Sequence, residues 1–86
     1  MTSIIEWTNG IKEWYYEGEL HRADGPSTEY SNGNKVWYKE GKLHRLDGPA
    51  RIQDNKKEYW LFGHQLSKQK YLIKSTDQRS VDLMAP

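Results

Sequence analysis

The fold is decided by the stretch Gly33-Asn34-Lys35-Val36-Trp37-Tyr38-Lys39-Glu40-Gly41-Lys42-Leu43-His44-Arg45-Leu46-Asp47-Gly48-Pro49, because this stretch repeats the pattern of residues 10–26. The shift between the two is 33 − 10 = 23 positions. Self-similarity at a fixed period of this length is the signature of a tandem repeat. We therefore expect an array of like units, and we call residues 10–26 and 33–49 the first and second motif copies.

A third copy is degenerate. The same shift carries Trp37 onto Trp60, and it carries Leu43 onto Leu66. The His-Arg-x-Asp-Gly-Pro end is lost, and its positions hold Ser67, Lys68, Lys70, Tyr71 and Leu72. Terminal units of repeat arrays are commonly atypical because they cap the array. The sequence predicts a single domain over residues 1–74, with repeats at 4–26, 27–49 and 50–72 and a flexible tail at 75–86.

The composition is that of a small chain with few aliphatic side chains. Its 86 residues place it near the size at which burial alone gives marginal stability. The net charge is only +1, and 4 Trp and 6 Tyr supply apolar area, so the chain is expected to fold rather than to be disordered. The absence of cysteine excludes a disulfide framework and a thiolate metal site.

Charge and hydropathy also limit the class of protein. The amino-terminal stretch has neither a basic start nor a long apolar run, and no window is long enough to span a bilayer. Charges of both signs are interspersed, which argues against a polybasic nucleic-acid binder and against an acidic DNA mimic. We expect a cytoplasmic protein without membrane contact.

Short turn signals predict an antiparallel meander. Asn9-Gly10 and Asn32-Gly33 are typical of two-residue type I′ turns, because both residues tolerate positive φ. Asp54-Asn55 predicts the corresponding turn of the third copy. The Glu-Gly pairs at 17–18 and 40–41 predict a second tight reversal in each copy.

A third corner follows in each complete copy, at Asp24-Gly25-Pro26 and at Asp47-Gly48-Pro49. Asp can bond nearby backbone, Gly bends freely, and Pro can begin a strand although it cannot donate to the ladder. Each copy is therefore expected to supply three short strands.

Two-residue turns would fix the register and give the sheet two unlike faces. Thr28 would then lie opposite Trp37, and Trp37 opposite His44. The predicted core face carries Tyr15, Leu20, Val36, Tyr38, Leu43, Tyr59, Leu61 and Leu66, with Arg22 and Arg45 at its margin. The other face carries Trp7, Trp14, Tyr30, Trp37 and Trp60 among Lys12, Lys35, Lys39, His21 and His44. A one-residue bulge would exchange the two lists.

The pattern changes after Leu66 and predicts a short carboxy-terminal helix. Ser67 suits an N-cap, and helix-tolerant side chains follow it. Tyr71 and Leu72 are expected to cover the last hairpin and to shield its edge. The expected fold class is all-β, an antiparallel meander of 23-residue hairpin repeats with a short capping helix.

The string Asn-Gly-x-x-x-Trp-Tyr-x-x-Gly-x-Leu-His-Arg-x-Asp-Gly-Pro resembles the variant MORN-type repeats of bacterial, phage and large-virus proteins. In the first copy the resemblance is carried by Asn9, Gly10, Trp14, Tyr15, Gly18, Leu20, His21, Arg22, Asp24, Gly25 and Pro26. In the second it is carried by Asn32, Gly33, Trp37, Tyr38, Gly41, Leu43, His44, Arg45, Asp47, Gly48 and Pro49. It covers most of the chain and implies a β-hairpin array serving as an interaction or scaffold module, some bacterial members being antitoxin-like. The lost connector after Leu66 departs from the pattern.

The His-Arg-x-Asp segments can be interpreted as catalytic or as structural. A catalytic centre needs one constellation with a positioned nucleophile or water, whereas a structural need recurs in every copy. The repetition therefore favours a structural role, in which His or Arg bonds across the strand pair and Asp ties the Gly-Pro corner. A metal site using His21 and His44 is disfavoured, because two or three strand spacings would separate them by roughly 10 to 14 Å.

We expect a non-enzymatic protein without cofactor or metal that masks a surface of a partner protein, such as a host, defence or toxin protein. Rigid aromatic and basic side chains of the kind found at interface hot spots support this interpretation. The predicted partner-binding residues are Trp14, Trp37, Trp60, Tyr30, Lys35, His21, His44, Arg22 and Arg45.

An alternative is a module that binds a nucleotide or a single-stranded nucleic acid, because Trp beside Lys can stack bases and glycine loops can cradle phosphate. Pro26 and Pro49 weaken this alternative, because each removes an N–H donor from its corner. Self-association into a homo-oligomer is also expected, since covering exposed rings is favourable.

Overall fold

The computed structural model describes the backbone of residues 1–84 and the side chains of residues 1–76. Over this part of the chain the elements in order are β1 Thr2–Glu6, β2 Lys12–Tyr16, β3 Glu19–Leu20, β4 Thr28–Glu29, β5 Lys35–Val36, β6 Tyr38–Lys39, β7 Lys42–Leu43, β8 Arg51–Gln53, β9 Lys56–Leu61, β10 His64–Leu66 and α1 Lys68–Met84.

The strands form a thin antiparallel sheet. Eight of them form one sheet, in which seven have the spatial order β1-β2-β4-β5-β8-β9-β10 and β3 pairs with β2. β6 pairs with β7 in a separate two-stranded ladder. The molecule measures 40 × 33 × 17 Å. It is therefore mostly antiparallel β-sheet with one carboxy-terminal helix, as the sequence predicts. No helix in the described part of the chain is both long and apolar enough to cross a membrane.

The Asn-Gly corners differ from the prediction. Trp7 N donates to Ile11 O at 2.8 Å, and Gly10 N donates to Trp7 O at 3.0 Å. Gly10 has a φ of +89°, whereas Asn9 is not among the residues with positive φ. The corner is therefore a three-residue loop that ends in a left-handed glycine, and not a two-residue type I′ turn. Residues 31–33 form the same loop.

The two-residue turns with positive φ at both centres lie at the other corners. They occur at residues 17–18, 40–41, 54–55 and 62–63. The second tight reversal of each complete copy is thereby confirmed, as is the turn at Asp54-Asn55.

The Asn-Gly loop is one residue longer than the predicted turn, so the register between the strands that it joins differs from the predicted register by one residue. Thr28 lies opposite Val36, so the predicted pairing of Thr28 with Trp37 is wrong. The predicted pairing of Trp37 with His44 is retained, because a two-residue turn joins their strands and His44 N donates to Trp37 O at 3.1 Å.

The third copy is one residue shorter at its first corner, and this changes which residues correspond. Trp60 lies opposite Gln65, and Tyr59 lies opposite Leu66. Tyr59 therefore takes the place that Trp37 has in the second copy, and Trp60 takes the place of the residue after it. The predicted correspondence of Trp60 with Trp37 is wrong.

The same slip puts Trp60 on the other face of the sheet. Opposite residues share a face, and Val36, Arg51 and Glu58 form one row across β5, β8 and β9. Trp60 lies on this face two residues after Glu58, to which its Nε1 donates at 3.0 Å. Trp37 directly follows Val36 and lies on the opposite face. The prediction that the ladder tryptophans share a face is therefore wrong for Trp60.

Little of the molecule is fully buried. The buried apolar residues of the described chain are Val36, Ala50, Leu61 and Tyr71. Of the predicted core face, only Val36 and Leu61 are among them, and its other members are half-buried. On the other predicted face Trp7 and Tyr30 are exposed. A single thin sheet covered by short connectors leaves most of its rings half-buried on both faces, so the prediction of one core face is wrong.

The helix begins where the sequence predicts. Ser67 Oγ accepts a hydrogen bond from Lys70 N at 3.3 Å, which is the N-cap geometry. Tyr71 is 2% exposed and its ring centre lies 4.8 Å from that of Tyr59, so it covers the last hairpin. Leu72 is 50% exposed, and the prediction that it also covers the hairpin is wrong.

The helix continues through Met84 and so includes most of the segment 75–86 that the sequence analysis predicts as a tail. Residues 85 and 86 lie outside the described residues.

Candidate functional site

The connector of the second copy, residues 44–49, folds over Trp37. The guanidinium carbon of Arg45 lies 3.8 Å from the centre of the Trp37 ring. Arg45 Nε donates to Asp47 Oδ1 at 3.0 Å, and its Nη1 donates to Pro49 O at 3.1 Å. A cation–π contact and two charge-assisted hydrogen bonds thus hold the corner over the ring.

The connector of the first copy, residues 21–26, has the same construction. The guanidinium carbon of Arg22 lies 4.0 Å from the centre of the Trp14 ring. Its Nε donates to Asp24 at 3.0 Å, and its Nη1 donates to Pro26 O at 3.2 Å and to Glu29 at 3.3 Å. The repeated Trp, Arg, Asp and Pro therefore make the same local packing contacts in both copies.

The glycine of each connector packs directly against the guanidinium group of this arginine. A Cβ added at Gly48 would lie 2.8 Å from the guanidinium carbon of Arg45, and one at Gly25 would lie 2.9 Å from that of Arg22. Neither glycine has a positive φ. The side chain, and not the backbone angle, selects glycine here.

The repeated histidines join each connector to the following hairpin. His21 Nδ1 accepts from Glu40 N at 3.2 Å, and His44 Nδ1 accepts from Phe62 N at 3.0 Å. Glu40 and Phe62 each begin a two-residue turn. Because Nδ1 is an acceptor in both contacts, its lone pair is engaged in holding neighbouring hairpins together.

Two further anchors were missed by the sequence analysis. Ser27 is fully buried, and its Oγ donates to Tyr38 O at 2.9 Å and accepts from Tyr38 N at 3.0 Å. The hydroxyl of Tyr71 donates to Arg45 O and accepts from Gly48 N, the latter at 3.0 Å. Comparison of the copies gives no signal for Ser27, since its counterpart is Ala50.

The two connectors and the strand between them enclose a groove of 620 Å³. One wall is formed by residues 21–25, the floor by residues 37–39 and the other wall by residues 44–47. Every segment is fixed by the contacts described above, so the groove is held in shape without a ligand. We call it the connector groove.

The connector groove carries charges of both signs. The Nη2 groups of Arg22 and Arg45 donate to no described residue, and both side chains remain about one-fifth exposed. Lys39 adds an exposed ammonium group to the floor. The carboxylates of Asp24 and Asp47 are 86% and 75% exposed at the walls. The groove can therefore offer both donors and acceptors to a ligand.

Tyr38 lies in the floor segment, but its phenol is on the face opposite Trp37, beside Tyr30 and Arg51, and has a perturbed pKa. Burial raises the pKa of Tyr38 above its ordinary value of 10.0. Tyr30 and Glu13 raise the pKa further, and Arg51 lowers it. The Tyr38 hydroxyl is therefore neutral at neutral pH.

Five of the nine predicted partner-binding residues line the connector groove. They are His21, Arg22, Trp37, His44 and Arg45. The sequence analysis did not include Ala23, Lys39 and Leu46, which line it too. Ala23 and Leu46 occupy the variable position of Arg-x-Asp, and this difference between otherwise identical connectors was the available signal.

The other four predicted residues lie elsewhere. Trp14 lines a neighbouring groove of 540 Å³ between the first connector and β1. Tyr30 lines a separate pocket of 370 Å³ beside Arg51. Lys35 is an exposed position of β5, and Trp60 is on the opposite face from Trp37.

Among the described residues, no group of three or more His, Cys, Asp or Glu side chains is placed to hold a metal ion. Comparison of the chain with protein-family models, with curated proteins and with solved structures finds no significant match.

Proposed function

We propose that the protein is a non-enzymatic binding module, a hairpin-repeat array of the variant MORN type, that masks a surface of a partner protein through the connector groove. One observation carries the proposal. Segments that are separate in sequence bring five of the nine predicted partner-binding residues together on one groove of 620 Å³.

The rigidity of the groove supports this proposal. Arg22 and Arg45 are already fixed by stacking and by hydrogen bonds to their own connectors. Groups that are ordered before binding lose less conformational entropy when a partner arrives. Trp and Arg are also the side chains most enriched among energetically important interface residues.

The arginine side chains that cover the tryptophan rings favour a protein partner over a nucleotide. Arg22 lies over Trp14, and Arg45 lies over Trp37, so the indole face on that side of each ring is not open to a base. A stacking platform for single-stranded nucleic acid needs such open faces.

The test compares groove variants with a matched charge variant on the opposite face. Lys39→Glu and Leu46→Asp alter the lining without removing an anchor of the fold. Lys56→Glu makes the same charge change at an exposed position of β9 outside the groove. Immobilised wild-type protein and the three variants are used to capture partners from a lysate of the source organism, with quantitative mass spectrometry.

A partner of the connector groove is expected to be retained by wild type and by Lys56→Glu, and to fall at least about tenfold with both groove variants, a change of about 1.4 kcal/mol in binding. Circular dichroism melts check that the variants fold. Equal capture by all four proteins would contradict the proposal.

A further inference from the structure

The two edges of the eight-stranded sheet are protected differently. β10 has three residues and contacts α1. β1 has five residues, all exposed, and in the described chain it pairs only with β2. Edge strands are usually blunted by Pro, Lys, a bulge or a covering element, because their free backbone groups recruit other chains. The sequence Thr-Ser-Ile-Ile-Glu of β1 has no Pro and no Lys, and its ladder to β2 has no bulge.

The outer side of β1 presents free backbone groups in a defined pattern. Trp7 N donates to Ile11 O, and Met1 O accepts from Glu17 N, so these odd-numbered residues direct backbone groups toward β2. This direction alternates along an antiparallel strand. The N–H and C=O groups of the even-numbered residues of β1 therefore point away from β2. These residues are Thr2, Ile4 and Glu6.

Exposed apolar side chains are concentrated beside these free groups. Ile4 is 59% exposed, Ile5 is 38% exposed and Trp7 is 53% exposed. Met1 is 90% exposed at the other end of the strand. β1 therefore combines an open ladder with apolar area that a neighbouring strand would cover.

We propose that β1 pairs with β1 of a second copy of this chain, antiparallel, around a two-fold axis at Ile4. The two sheets then join into one continuous sheet. This site goes beyond the proposed function, because β1 does not line the connector groove.

The register follows from the ladder. Opposite residues of an antiparallel pair share a face, so the two-fold axis must pass through a residue and not between two residues. With the axis at Ile4, Thr2 lies opposite Glu6 of the second copy, and all three outward N–H groups of each chain find a carbonyl. An axis at Ser3 or Ile5 would pair only two outward N–H groups of each chain.

The side chains are self-complementary in this register. Ile4 lies beside its symmetry mate, and Met1 comes opposite Trp7 of the second copy, where thioether and indole can make a sulfur–aromatic contact. Glu6 is the one charged residue of β1 and lies opposite Thr2, so no like charges face each other.

The proposed contact between the two β1 strands is small, so the dimer is expected to be weak. One pair of five-residue strands buries less than the roughly 1,200–2,000 Å² of a standard stable interface. The dimer is therefore expected to form reversibly as the protein concentration rises, from 10.2 kDa toward twice that mass.

The first test is sedimentation equilibrium over a range of concentrations. Ile4→Pro removes an outward N–H without touching the ladder to β2, and Ile4→Lys places two ammonium groups together at the axis. Each variant is expected to weaken dimerisation at least about tenfold. Leu72→Lys, at a similarly exposed apolar residue of α1, is the control and should dimerise as wild type does.

The second test is a cross-link at the two-fold axis, made with a smaller side chain that perturbs β1 less than Pro or Lys does. The chain has no cysteine, and directly opposite residues in a hydrogen-bonded antiparallel pair have Cα atoms about 5.5 Å apart, within disulfide range. Ile4→Cys is therefore expected to form a covalent dimer on mild oxidation, and Phe62→Cys, at an exposed turn, much less. A mass of 10.2 kDa at every concentration, dimerisation unaffected at Ile4, or equal cross-linking at both positions would overturn the proposal.

Discussion

The second and third copies cover the same strand position in different ways. Trp37 is covered by the guanidinium group of Arg45, at 3.8 Å, from the connector that follows its own hairpin. Tyr59 is covered by the ring of Tyr71, at 4.8 Å, from the helix. We call Arg45 the charged cover and Tyr71 the neutral cover. The charged cover leaves N–H donors beside an open groove, whereas the neutral cover closes the end of the sheet. The sheet is thus open beside the arginine of the second copy and closed beside the tyrosine of the helix.

The two covers are also connected. The hydroxyl of Tyr71 bonds Arg45 O and Gly48 N, so the helix holds the connector that carries the charged cover. Loss of the neutral cover should therefore disturb both regions, whereas loss of the charged cover should disturb one.

The largest effect is expected for Tyr71→Ala. Removing a ring that is 2% exposed should lower the free energy of unfolding by about 3–5 kcal/mol, enough to unfold much of so small a domain. Tyr71→Phe keeps the ring but leaves a carbonyl and an N–H unpaired, for about 1–3 kcal/mol. Urea unfolding measures both. Leu72→Ala, beside it on the exposed side, should change stability by less than about 0.5 kcal/mol. A similar loss of stability in Tyr71→Ala and Leu72→Ala would contradict the conclusion that Tyr71 closes this end of the sheet.

The next effect concerns the charged cover. Arg45→Met keeps much of the stem but removes the stack on Trp37 and the bonds to Asp47 and Pro49, and it should cost about 2–3 kcal/mol. Arg45→Lys keeps the charge but not the planar fork, so it should recover little of this loss. Urea unfolding monitored by tryptophan fluorescence measures both variants. Full stability in Arg45→Lys would mean that charge alone, without stacking, holds the connector.

The sequence predicts the parts of this comparison that depend on local signals. The hairpins, the helix start at Ser67 and the structural recurrence of His-Arg-x-Asp each follow from turn chemistry, capping or repetition. The predicted turn type at the two Asn-Gly corners was wrong. The same dipeptide suits both a two-residue turn and a three-residue loop that ends in a left-handed glycine.

The sequence analysis misaligned the third copy because its aromatic pair is reversed. Trp37-Tyr38 becomes Tyr59-Trp60, so matching Trp to Trp hides the one-residue deletion at the corner. The partners of Tyr71 depend on long-range packing between α1 and the second connector, for which the chain carries no local signal.

A smaller effect is expected at the glycine under the charged cover. Gly48→Ala places a Cβ 2.8 Å from the guanidinium carbon of Arg45 and should cost about 1–2 kcal/mol through overpacking. In an Arg45→Met background the clash is relieved, so the same substitution should be nearly neutral. A double-mutant cycle by urea unfolding measures this coupling. Additive costs would show that the glycine serves the backbone and not the arginine.

The smallest effect is expected on the pH dependence of stability. It concerns the residue that follows the covered aromatic side chain, which is Tyr38 in the second copy and Trp60 in the third. Burial raises the pKa of the Tyr38 hydroxyl above 10.0, so the folded state favours the neutral phenol. This contribution is fully present below the unfolded pKa of 10.0 and is lost as pH rises through the folded pKa. Tyr38→Trp copies the third-copy residue and cannot ionise. From about pH 9 to about pH 11, the free energy of unfolding should fall less steeply in Tyr38→Trp than in wild type. Tyr38→Phe should behave like Tyr38→Trp, which separates the lost ionisation from the larger ring. Equal declines in all three proteins would mean that Tyr38 is no more perturbed than a phenol in water.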